Sequence, residues 1–171
     1  MENFSEVYSR ESIEFATVAK EFLSFLETAK EQTKESFIDK SVKILPLLYL
    51  KASLLSKVED YDEEYSEKFV DESSWSYIQQ VAAAKLEDDD LYVQIQDGGV
   101  VNSMDYLNVG LSELYADLYQ ETGDLIGAYR TGNDQLMLAA LADCQQNFES
   151  YWGIRLIVLL KSPRQLFPRS E

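Results

Sequence analysis

The chain has 171 residues, with 31 Asp and Glu against 15 Lys and Arg, no histidine, one cysteine and a net charge of -16. That balance disfavours nucleic-acid backbones and anionic membrane surfaces as partners, and leaves solubility, a basic protein partner or cations as its uses. The missing histidine removes the usual acid–base group near neutral pH, and the lone cysteine excludes an internal disulfide or a cysteine pair for zinc.

Residues 1–6 have no basic start, and no long apolar stretch follows, so no export signal is predicted and a bacterial or other cytoplasm is the expected location. The first helix is predicted from Glu6 or Arg10 to Glu31. Phe15, Val18, Ala19, Phe22, Leu26 and Ala29 recur at three and four, with Glu14, Thr17, Glu21 and Ser24 opposite. The second is predicted over 34–57. Its middle, Ile44 to Leu50, is apolar on every side and predicts a buried central helix, kinked by Pro46. That run is far short of the roughly 18 residues needed to cross a bilayer.

Residues 59–72 carry eight acids against Lys68 alone and read as a solvated acidic loop. Asp71 then suits the N-cap of a third helix whose apolar stripe is Trp75, Ile78, Val81, Ala82 and Leu86. Residues 87–103 stay open between helix, strand and loop. Leu91 to Gln96 alternates like a strand and Asp97-Gly98-Gly99 reads as a turn, but no partner strand is evident. A fourth helix is predicted from Ser103 or Leu111 to Arg130, stopped by Gly132, and a fifth from Asn133 to just before Pro163. Residues 162–171 read as a frayed tail. The expectation is one all-α domain over 1–171, a bundle of five or six helices; scarce Gly and Pro agree.

On the fourth helix Glu113, Asp117, Glu121 and Asp124 fall within about 80° of one another. Rows of helical carboxylates can hold magnesium or manganese. Here Leu111, Leu114, Leu118, Leu125 and Tyr129 centre about 120–140° away, so the row reads as a solvent face. The acidic loops lack the spacing of an EF-hand. No metal site and no cofactor is predicted.

The fifth helix holds an anomaly. Met137, Leu141, Cys144, Phe148, Trp152 and Arg155 share one face. An arginine on an apolar stripe needs a carboxylate, a cleft or a path along the bundle to water. Asp117 and Glu121 are the expected partners, and Tyr151 lies one turn above. Asp117, Glu121, Tyr151, Trp152 and Arg155 are therefore the candidate ligand-binding set. Cys144 reads as a small buried hydrophobe, and Gly153 as a point of close helix–helix approach. No catalytic residue is identified.

Four stretches carry a resemblance: Phe15 to Phe22, Leu45 to Ala52, Ala116 to Glu121 and Phe148 to Gly153. Together and in this order they resemble the bacterial helical family catalogued as domain of unknown function five thousand and sixty-three. The resemblance implies an all-helical fold with no assigned activity. It also implies histidines in many members at the positions matching Tyr151 and Arg155, where a four-residue spacing could hold a metal. This chain has tyrosine and arginine there, so the resemblance implies either that a family metal site is lost in this member or that the Tyr151–Arg155 pair reads a different ligand.

The leading functional expectation is a non-enzymatic protein-interaction or regulatory module. The alternatives are a small-ligand or metal-binding protein or a cryptic enzyme, centred near Asp117, Tyr151 and Arg155, and a nucleic-acid mimic or inhibitor.

Overall fold

The structure, a computed structural model, describes residues 4–96 and 106–166. It is an all-α bundle carrying one small hairpin. Helix α1 spans Arg10–Glu27, begun by Ser9, whose side chain accepts from the Ser12 N–H, and flanked by short 3-10 turns at Ser5–Tyr8 and Ala29–Glu31. Helix α2 spans Lys34–Ser53 behind a Thr33 cap. It continues across Pro46 rather than restarting there. It buries Phe37, Ile38, Ser41, Leu45, Leu48 and Ala52, while Leu47 and Leu50 stand 43% and 52% exposed. The apolar run is thus enclosed on one side only, because α2 lies at the edge of the bundle between α1 and the last helix.

The acidic segment after α2 is irregular apart from a short 3-10 turn at Glu63–Tyr65, and its eight acids are all exposed. Asp71 caps α3 (Glu72–Leu86) by accepting from the Ser74 N–H at 2.7 Å. Strand β1 (Tyr92–Gln96) pairs antiparallel with β2 (Tyr106–Gly110), Tyr92 opposite Gly110 and Gln96 opposite Tyr106. The apparently lone strand therefore has a partner, in residues that the sequence reading left before or within the fourth helix. Leu107 and Val109 alternate with Asn108 and Gly110, a period too short to read in isolation. The expected turn at 97–99 lies outside the described residues.

Helix α4 (Leu111–Thr131) is the centre, with twelve of its 21 residues buried. Helices α1, α3, α5 (Asp134–Asn147) and α6 (Gly153–Leu166) pack against it. Gly132, at φ +66°, supplies the left-handed stop expected of it. The expected single fifth helix is instead two, joined by a π-turn at Phe148–Trp152. Helix α6 continues to Leu166, past the expected start of a frayed tail; residues 167–171 lie outside the described residues. Aromatic rings knit the core together. Trp152 lies 4.7 Å from Phe148 and 6.2 Å from Phe15, and Phe37 sits 5.1 Å from both Phe25 and Tyr115. The buried Tyr115 hydroxyl donates to Ser41 Oγ at 2.7 Å, which in turn donates to the Phe37 carbonyl, so no polar atom of that chain is stranded.

Two glycines of α4 form a notch for the end of the acidic segment. A Cβ on Gly127 would meet Phe69 at 2.4 Å, and one on Gly123 would meet Val70 at 2.5 Å. Alanine normally gains about 1 kcal/mol over glycine inside a helix, but overpacking costs about 1–3 kcal/mol, so here sterics win. Gly127→Ala is expected to lower unfolding stability by about 1 kcal/mol in urea titrations. In a Phe69→Ala background the same change is expected to be neutral or stabilising. A stabilising effect in the otherwise unchanged chain would show that Phe69 does not fill the notch.

Candidate functional site

The carboxylate row of α4 is not an open solvent face: Asp124 is buried and Glu113, Asp117 and Glu121 are half-buried, because neighbouring segments also cover much of the side opposite the leucines. Each acid turns to a different neighbour. Glu113 accepts from the Gly110 N–H at 2.7 Å, where the hairpin enters the helix. Asp117 Oδ1 accepts from Trp75 Nε1 on α3 at 3.1 Å. Glu121 Oε2 accepts from Asn147 Nδ2 on α5 at 3.1 Å. Asp124 Oδ1 accepts from the Phe69 and Val70 N–H groups at 2.7 and 2.9 Å, while Lys68 approaches its other oxygen at 3.4 Å.

Arg155 reaches this row from α6. Its Nε lies 3.5 Å from Asp117 Oδ2, near enough for an ion pair but not aligned for a hydrogen bond. Its guanidinium lies over the Tyr151 ring, 3.7 Å from the centroid. Arg155 is only 6% exposed. It is therefore enclosed rather than snorkelling: the charge is met by one carboxylate and one aromatic face. Of the two expected partners, Asp117 is the one it pairs with.

Asp117, Tyr151 and Arg155 thus come together. Glu121 stands one turn along α4, held by Asn147. Trp152 points the other way, fully buried among Phe15 and Phe148, and its Nε1 donates to the Cys144 carbonyl at 3.0 Å. That bond spans the π-turn. The turn inserts one residue into the helical ladder, so successive side chains 151 and 152 serve the ion pair and the core respectively. It also explains Gly153. A Cβ there would meet the Phe148 carbonyl oxygen at 2.5 Å, so the glycine answers to its own chain rather than to a neighbouring helix.

Burial raises the pKa of Asp117 even though Trp75 and then Arg155 oppose it, as expected of an unaligned ion pair. Burial likewise raises Glu121 against the Asn147 bond. Burial, with Asp117 beside it, pushes the Tyr151 hydroxyl up to about 12. The Cys144 thiol is held well above its usual range by burial, which keeps it an inert core group at neutral pH. Among the described residues no group of three or more side chains is placed to hold a metal ion. The sequence reading missed Trp75, Asn147 and the Phe69–Val70 backbone as partners of the row. Only Trp75, an indole donor at the start of an amphipathic helix, gave any hint.

The family model for the domain of unknown function DUF5063 matches residues 6–163. The fold is similar to the crystal structure of a protein from Bacteroides fragilis, a structural genomics target. The two are 33% identical, superpose with a TM-score of 0.82, and the match covers 97% of this chain and 99% of that one. No curated protein matches the chain.

Two outcomes follow for the enclosed ion pair. Asp117→Asn keeps an acceptor for Trp75 but strips Arg155 of its countercharge, and is expected to cost about 2–3 kcal/mol. The same change in an Arg155→Met background is expected to cost far less, giving a coupling of about 2 kcal/mol in a double-mutant cycle. Additive costs would mean that the two do not interact. The raised Glu121 pKa makes a pH prediction of known sign. The folded state holds this proton more tightly than the unfolded chain, so the group favours folding at low pH and loses that contribution as pH rises through its folded value. Relative to Glu121→Gln, the wild type is expected to gain stability as the pH falls through the raised folded value toward the ordinary glutamate range. Parallel urea midpoints for the two proteins across that range would contradict it.

Proposed function

The chain belongs to the family described as domain of unknown function (DUF5063), and from that premise we propose that it is a non-enzymatic protein-interaction or regulatory module working in the bacterial cytoplasm. The observation that carries the proposal is the division of its acids. The α4 row is engaged inside the bundle, whereas Glu59, Asp60, Asp62, Glu63, Glu64 and Glu67 stand exposed on one segment. That segment is anchored at its end by Asp124 and the glycine notch, so a dense negative surface is held at a fixed place on a rigid body. Such a surface suits a basic protein partner by electrostatic complementarity. A single buried cysteine fits a reducing compartment, and no helix of the described residues is long and apolar enough to cross a membrane.

A small-ligand site near Asp117, Glu121, Tyr151 and Arg155 is the second reading. One observation favours it: Arg155 Nε is buried without a hydrogen-bond partner, a donor that a ligand acceptor would satisfy. Against it, Arg155 is enclosed, and Asp117 and Tyr151 already meet its charge. A nucleic-acid mimic would need a regular exposed row of acids, and the regular row of α4 is half-buried or buried and engaged by donors of neighbouring segments.

The test is affinity capture from native lysate at low and high salt, with the wild type beside a variant carrying Asp60→Asn, Asp62→Asn, Glu63→Gln and Glu64→Gln. A reproducible partner is expected at low salt, lost at high salt and lost from the variant. No reproducible partner, or one indifferent to the loop charges, would overturn the proposal.

A further inference from the structure

The hairpin leaves one strand edge bare. The Leu111 N–H donates to the Leu91 carbonyl at 3.1 Å, which sets the phase of the ladder. Val93 and Ile95 then turn their backbone groups toward β2, while Tyr92 and Gln94 turn theirs away. Among the described residues, neither Tyr92 nor Gln94 makes a backbone hydrogen bond outside the hairpin. Exposed edges are normally guarded by lysine, acid, proline or a covering element. Residues 91–96, Leu-Tyr-Val-Gln-Ile-Gln, carry none of those residues.

Beside this edge lies a groove of about 550 Å³. Leu91, Tyr92 and Val93 form one wall, and Ile157, Val158 and Lys161 of α6 the other. Leu91, Tyr92 and Ile157 are 59%, 75% and 46% exposed. Asp89, at the groove margin, is already held by Lys34 at 2.6 Å. Lys161 makes no ion pair among the described residues. The groove therefore offers apolar walls, an unpaired backbone edge and one free cation.

We propose that this groove takes an extended segment of a protein partner as a third strand on the edge of β1. The segment's backbone pairs with the N–H and C=O groups of Tyr92 and Gln94, about 7 Å apart along the strand. Its alternate apolar side chains drop between β1 and α6, and an acidic residue meets Lys161. The repeat of the free backbone groups selects a polypeptide over a compact small molecule. The net charge of the protein does not forbid an acid here, because charges beyond about 8 Å are largely screened at physiological ionic strength. This inference rests on the reading of the protein as an interaction module and adds the kind of segment it takes.

The probe is a random heptapeptide display library panned against the full chain. Enriched peptides are expected to alternate apolar residues and to carry an acid. Their binding is expected to slow amide exchange at Tyr92 and Gln94. Gln94→Pro removes an outward N–H without touching the hairpin ladder, a position where proline is tolerated. It and Ile157→Lys are each expected to weaken binding at least about tenfold, with unfolding midpoints close to the wild type. If Gln94→Pro does not fold, Ile157→Lys decides alone. No enriched peptide, protection confined to another surface, or binding by both variants as tight as the wild type's would overturn the inference. So would protection of Tyr92 and Gln94 in the absence of peptide, which would mean that two copies pair edge to edge. A lysate partner still captured by both variants would remove this inference and leave the interaction-module reading standing.

Discussion

The fold depends on four carboxylates placed on a side of the central helix that its neighbours half cover or bury. An ionised carboxylate in that position needs donors or a countercharge, and α4 alone offers neither. The donors come from everywhere else: the strand–helix junction for Glu113, the α3 indole for Asp117, an α5 amide for Glu121, and the backbone of residues 69 and 70 for Asp124. Leucines on one side of α4 make the bundle compact. Carboxylates on the other fix which segment lies where, because a hydrogen bond has a direction that apolar contact lacks.

Arg155 follows from the same constraint. Asp117 accepts from Trp75 through one oxygen, and its second oxygen lies against a buried guanidinium. The guanidinium reaches it because the π-turn shifts the phase of the last helix, which lets Trp152 fill the core while Tyr151 lies under the cation. Two groups of acids thus differ in their use. The α4 row is consumed by architecture, and the acids of the segment before α3, which Asp124 holds in place, stay exposed.

Much of the helical pattern was legible. The three-and-four recurrence from Phe15 to Leu26 marks α1, Asp71 marks the start of α3, and Gly132 marks the end of α4. The pairing of Arg155 with a carboxylate was legible as well, since an arginine on an apolar stripe has few other solutions. Three things were not. The engagement of the carboxylate row is hidden because periodicity reports two sides of a helix and not whether both are covered; α4 is covered on one side and half covered on the other, and α2, with the more apolar middle, on one. The hairpin is hidden because β2 is five residues with no turn signal adjoining it. The π-turn is hidden because Phe148 to Trp152 continues the helical pattern, and only Gly153 betrays the irregularity.

Amide hydrogen exchange on Asp124→Ala tests the organising role of the row most directly, because Asp124 holds a segment that belongs to no helix. The account requires the Phe69 and Val70 amides to lose their protection under native conditions, while the central amides of α1 and α4 stay slow. Unchanged exchange at those two amides would contradict it, and would mean that apolar packing alone places the segment.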